Sequence, residues 1–152
     1  MPIVNLEHIA EADIATNPDC IFMYADNDTQ RGTPHVNSLF RNHVRAFPVI
    51  LKKRAGIDAE SFWSDDEYVI FRNSFLPSIS RIKYFLRRKH IVIKVGESFN
   101  DDEFNLSMMD KMSSKIYEEY LSNSMELNRE FLPKFVSEQE IAGVKDAVQI
   151  GL

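Results

Sequence analysis

The sequence predicts a single α/β domain spanning residues 1–152, built on a mixed, mostly parallel sheet flanked by helices. Three observations lead there. Short apolar runs (Cys20 to Tyr24, Phe47 to Leu51, His90 to Val95) alternate with stretches of helical period, the pattern of strands joined by crossover helices. The 152 residues are enough for one core without disulfides or metals. Hydrophobic residues at 44% and charged residues at 27% lie near globular averages and far from the signature of disorder.

Ile3 to Leu6 reads as a short first strand, followed by a helix from Glu7 to about Thr16 with Leu6, Ile9, Ala10 and Ile14 on one face. Asn17-Pro18-Asp19 stops it. Cys20 to Tyr24, five apolar residues between turn signals, predicts a strand buried on both faces and interior to the sheet. The turn-forming stretch Asp26 to Pro34 follows, and Thr33-Pro34 opens a helix through Val36, Leu39 and Phe40. Phe47 to Leu51 is the next strand, ending in the basic loop Lys52-Lys53-Arg54-Ala55-Gly56.

Ser64-Asp65-Asp66-Glu67 is a capping-box sequence, and Tyr68, Phe71, Phe75, Ile79, Ile82 and Leu86 behind it keep the 3.6-residue period. Pro77 predicts a break near Leu76, with Ser78 or Ser80 opening a second piece. After the strand His90 to Val95, Gly96-Glu97-Ser98 reads as a turn into the acidic loop Asn100 to Glu103. One helix is expected from Ser107 to Leu121, with Met109, Met112, Ile116 and Tyr120 on one side. Ser137 to Glu140, a second box, opens a last helix carrying Ile141, Val144 and Val148.

A net charge of −5 and a pI of about 5.4 disfavour nucleic acid and anionic membranes as partners. The N-terminus has neither a basic start nor a long apolar stretch, and no window approaches a membrane span, so a cytoplasmic location is expected. Cys20, the single cysteine, sits in an apolar run and reads as a buried thiol. No metal is expected, because His8, His35, His43 and His90 have no ligand spacing. P-loop, dinucleotide and nucleophile-elbow signatures are absent, and no cofactor is expected. Asp65-Asp66 and Asp101-Asp102-Glu103 read as cap and loop acids in preference to paired carboxylates; Lys52-Lys53-Arg54 and Arg87-Arg88-Lys89-His90 read as ordinary loop and helix-end charge, with a phosphate-attracting surface as the alternative.

In parallel sheets, ligands sit at the carboxyl ends of the strands, which points to Ala25–Gly32 and Val95–Ser98. Asp26 and Asn27 would leave the buried strand there, where short polar side chains can hold a ribose hydroxyl or an adenine amine. Arg31 and helix-opening N–H groups could meet a phosphate, and the competing reading is a plain turn with an Asx cap.

Asn17-Pro18 followed by the apolar run ending Ala25-Asp26-Asn27, then Arg31-Gly32, resembles a family of small uncharacterised phage and bacterial proteins. In those, an Asn-Pro precedes a strand ending Phe-Gly-Asp-Asn and a Gly-Gly loop follows. The resemblance continues through Ala46-Phe47, Lys52-Lys53 and Ser61-Phe62-Trp63-Ser64-Asp65, covering roughly residues 10 to 100. That family looks related in plan to macrodomains, α/β modules that bind ADP-ribose. The resemblance therefore implies a nucleotide site at Asp26 and Asn27, with Arg31, Gly32, Lys52 and the Gly96 loop nearby. This copy departs from the pattern. Ala25 stands for a glycine, Thr33-Pro34-His35-Val36 for the paired glycines, and Gly96-Glu97-Ser98 for a glycine-rich phosphate loop.

The resulting expectation is a degenerate, macrodomain-like phage accessory protein in the host cytoplasm. It either binds a nucleotide such as ADP-ribose weakly or serves as a non-catalytic scaffold. Two alternatives stand beside it. One is an ADP-ribosyl hydrolase in which Asp26 or Asn27 orients water and His35 is the base. The other is an interaction module that engages a host protein through an exposed Phe62-Trp63 pair and the Met108, Met109 and Met112 helix.

Overall fold

In the computed structural model, which describes residues 3–31, 39–100, 106–130 and 148–149, five strands form one sheet in the order β3-β2-β4-β1-β5. The strands are β1 (Ile3–Leu6), β2 (Cys20–Asn27), β3 (Ala46–Lys52), β4 (Ile91–Val95) and β5 (Val148–Gln149). The first four pair in parallel, and β5 joins the outer side of β1 antiparallel. The helices are α1 (Glu11–Thr16), α2 (Tyr68–Arg87), α3 (Gly96–Asn100), α4 (Leu106–Met112) and α5 (Ser114–Glu130). The α/β class and the mostly parallel sheet expected from the sequence are present.

Alternation along the strands sorts the core into two layers. Ile21, Met23 and Ala25 of β2 face the layer holding Phe71, Phe75 and Ile82 of α2 with Ile116 and Tyr120 of α5. Cys20, Phe22 and Tyr24 face the other layer, with Ile9, Ile14 of α1 and Phe40. Burial on both faces explains why β2 is an unbroken apolar run. Cys20 is buried, and desolvation pushes its thiol up to about 11. Arg45 reaches from the foot of β3 to the carbonyls of Ile14 and Asn17, closing the C-terminal end of α1.

The capping box forms: the Ser64 N–H and hydroxyl both donate to Glu67 Oε1, at 3.1 and 3.0 Å. Behind it α2 runs unbroken through Pro77, contrary to the expected break. Pro77 and Asn73, four residues earlier, both lie on the exposed side, so the carbonyl that loses its donor faces water.

Other expectations are corrected. Asp26, Asn27 and Lys52 belong to strands and are fully buried, because the ladder continues past the apolar runs. Gly96-Glu97-Ser98 opens α3 instead of a turn, the Glu97 N–H donating to the Glu7 carbonyl at 2.9 Å. The single helix over 107–121 is two, α4 and α5, divided at Ser113. The Ser113 hydroxyl caps α5 by accepting the Ile116 N–H at 3.1 Å and donating to Asp65. Phe62 and Trp63, expected to be exposed, are each 3% exposed and join the α2 layer. Helix α1 starts at Glu11, leaving Ala10 exposed as its N-cap. Val148 is in a strand, not on a helix, while the Ser137–Glu140 box and the acidic loop at 101–103 lie outside the described residues.

Candidate functional site

The connections of an open parallel sheet leave a crevice where neighbouring strands send their chains in opposite directions. Here that point falls between β2, whose chain continues to β3 on one side, and β4, whose chain continues toward β5 on the other. Asp26 and Asn27 end β2, and Gly96 and Ser98 follow β4. Ser98 stitches the two ends together. Its hydroxyl accepts the Ala25 N–H at 2.9 Å and donates to the Val95 carbonyl at 2.7 Å, fully buried.

The β2 half of this edge is built around Asp26. Opposite it the β2/β3 register shifts, so that Asp26 pairs with Ile50 and Asn27 with Lys52. Such bulges re-aim side chains at strand ends. The Asp26 carboxylate accepts two hydrogen bonds from Arg41, Nε at 2.9 Å and Nη2 at 2.7 Å, and a third from the Asn27 N–H at 2.8 Å. Asp26 has no exposed side-chain surface and Arg41 keeps 12%. Asn27 donates from Nδ2 to the Arg31 carbonyl at 2.9 Å and accepts from the Thr29 hydroxyl at 2.5 Å. Arg41 Nη2 also reaches the Arg31 carbonyl at 3.2 Å. Tyr24 lies behind them, and burial, with help from the Asp26 charge, raises its phenol well above its ordinary value against the opposing pull of Arg41.

Asp26, Asn27 and Arg31 are thus brought together, with the Arg31 side chain exposed. Gly32 and His35 lie outside the described residues. Lys52 pairs with Asn27 through the ladder, but its ammonium turns to the Gly56 carbonyl at 2.6 Å, over the Phe62 ring. The rest of the basic loop is matched by acids: Lys53 with Glu67 at 3.1 Å and Arg54 with Glu60 at 3.0 Å. These pairs line an open cleft of about 360 Å³ beside Phe62 and Met112.

Gly96 belongs to the other half, at the carboxyl ends of β1 and β4. A Cβ there would meet Glu7 Oε2 at 2.6 Å, Asn5 Oδ1 at 2.9 Å and the Glu7 Cα at 3.1 Å. Its smallness is accounted for by these neighbours within the chain. Asn5 pairs with Lys94 across the β1/β4 ladder, and Lys94 Nζ lies 4.7 Å from the centre of the Phe99 ring. Desolvation draws the Lys94 ammonium below its ordinary value, the Glu7 charge acting the other way. Beside this cluster, His8 Nδ1 lies 2.5 Å from Glu97 Oε2, and that hydrogen bond, opposed by slight desolvation and aided by the charges of Glu97 and Glu7, raises the imidazole pKa.

Sequence reasoning missed Arg41, Asn5 and Lys94. Arg41 follows a helical stretch with no motif around it. Lys94 did carry a signal: it is the one charged residue inside the apolar run Ile91 to Val95. Among the described residues, no group of three His, Cys, Asp or Glu side chains is placed to hold a metal, and no helix is long and apolar enough to cross a membrane.

The pattern that defines a family of unknown function (DUF7831) matches residues 4–123. No curated protein and no solved structure matches the chain.

Proposed function

The chain belongs to the DUF7831 family of unknown function, and from its own residues we propose that it is a non-catalytic, macrodomain-like accessory module of phage or bacterial origin that binds a nucleotide such as ADP-ribose weakly. The observation that carries this reading is the Asp26–Arg41 pair at the carboxyl end of β2. A buried carboxylate holding both Nε and Nη2 of an arginine fixes the guanidinium plane, and a fixed guanidinium is a good partner for phosphate oxygens. The exposed side chain of Arg31 and the amide of Asn27 stand beside it. Weak affinity is expected because Thr33-Pro34-His35-Val36 and Gly96-Glu97-Ser98 stand in the sequence where the resembled pattern has the glycines that let a diphosphate approach the backbone.

Binding is favoured over hydrolysis because the Asp26 carboxylate already accepts three hydrogen bonds within the chain and has no exposed surface with which to orient water. Asp26 is therefore a positioning residue in this reading. Calorimetric titration with ADP-ribose tests it. We expect a saturable heat in the millimolar range, weakened several-fold in Arg31→Ala, which keeps the main-chain carbonyl that Asn27 and Arg41 use. Silence at millimolar ligand removes the proposal.

A further inference from the structure

We propose that Lys94 is a nucleophilic amine, set at the carboxyl end of β4 to capture a small aldehyde or ketone as an imine. Lys94 is part-buried although it lies in an otherwise apolar strand, and its ammonium rests on the Phe99 ring. Among the described residues no carboxylate comes within ion-pair distance of it and no acceptor takes its protons. Its register partner on β1, Asn5, carries a buried Oδ1 that likewise has no hydrogen-bond partner among them. A donor with no acceptor and an acceptor with no donor among the described residues thus stand on neighbouring strands at the edge of the sheet where ligands of parallel folds bind.

The physical effect of such a setting is a larger free-amine fraction near neutral pH. Burial penalises the ammonium, and Glu7, the charged side chain that faces it, only partly offsets this. The neutral Nζ lone pair attacks the carbonyl carbon, and a proton passes from nitrogen to the carbonyl oxygen to give a carbinolamine. Loss of water then leaves C=N, with no oxidant or reductant consumed. Asn5 Oδ1 is the acceptor for the carbinolamine hydroxyl. This inference does not rest on the nucleotide reading, and ADP-ribose plays no part in its test.

The full chain is treated with propanal and cyanoborohydride at neutral pH, the hydride converting each imine to a stable secondary amine, and the lysines are ranked by peptide mass mapping. Lys94 is expected to react several-fold faster than the exposed Lys89 and Lys111, since each unit of lowered pKa gives about tenfold more free amine. In Asn5→Ala, propanal capture at Lys94 is expected to slow several-fold while acetylation by acetic anhydride keeps its rate, which separates orientation of the carbinolamine from plain amine reactivity. Reaction at Lys94 no faster than at Lys89 and Lys111 overturns the proposal. Equal slowing of both reagents in Asn5→Ala overturns the role given to Asn5.

Discussion

The two halves of the sheet's carboxyl edge spend their polar groups differently. At the end of β2, Asp26, Asn27 and Arg41 satisfy one another and the Arg31 carbonyl, so that each side chain is fixed by at least one partner within the chain. At the ends of β1 and β4, Asn5 and Glu7 crowd Gly96, and the Asn5 side-chain carbonyl oxygen is buried without a hydrogen-bond partner among the described residues. The first arrangement gives rigidity and a held cation. The second leaves, among the described residues, a buried carbonyl oxygen on Asn5 with no hydrogen bond made to it.

The comparison breaks most visibly at Asp26. Asp26→Ala leaves the Arg41 guanidinium nearly buried without its carboxylate, and removing one partner of such a pair costs about 3–5 kcal/mol. Urea unfolding should show a loss of that order; a change under 1 kcal/mol by the same measurement, roughly what an exposed pair contributes, would mean that the β2 half is not held by this pair. Ser98→Ala deletes the hydroxyl that joins the two halves. Losing its bonds to Ala25 and Val95 in a buried place should cost about 1–3 kcal/mol, again read from urea midpoints.

Gly96→Ala probes the second half alone. Its methyl would press on the ends of Glu7 and Asn5, which can swing, and on the Glu7 Cα, which cannot, so a loss of about 1–2 kcal/mol is expected. A stabilised variant would show that the packing over Gly96 is loose. The smallest effect is a pH dependence at His8. Its folded pKa is raised by the hydrogen bond to Glu97, so the contribution is fully present below the ordinary value of 6.5 and is lost as pH rises through the raised one. Because His8 is exposed, the difference between wild type and His8→Ala in thermal unfolding should be slight at low pH and vanish on the alkaline side.

Much of the architecture was legible because apolar runs and helical period are local signals. The strands β2, β3 and β4 and the capped start of α2 follow from them directly. What escaped depended on partners distant in sequence. Nothing near Phe62 and Trp63 announces that α2 and β3 bury them, and nothing near Pro77 tells that its free carbonyl faces water. Ser113 looks like any helical serine until Asp65 and the Ile116 N–H arrive to make it a cap. The sequence put Asp26 and Asn27 in a turn just past the apolar run, whereas they are the last two residues of β2 and buried. Their engagement by Arg41 and Arg31 was hidden, since it is set by how a later segment folds back over the strand. Lys94 was visible as a charge in an apolar strand, but its place beside Asn5 and over the Phe99 ring emerges only once β1 and α3 lie alongside.

The central claim, that the crevice between β2 and β4 takes up a nucleotide, is tested most directly by titrating ADP-ribose into ¹⁵N-labelled protein and following the amide resonances. The account predicts saturable shifts gathered at Asn27, Thr29, Arg31, Gly96 and Ser98. Resonances that stay unmoved at millimolar ligand, or shifts confined to Lys53, Arg54 and Phe62 around the cleft beyond β3, would contradict it.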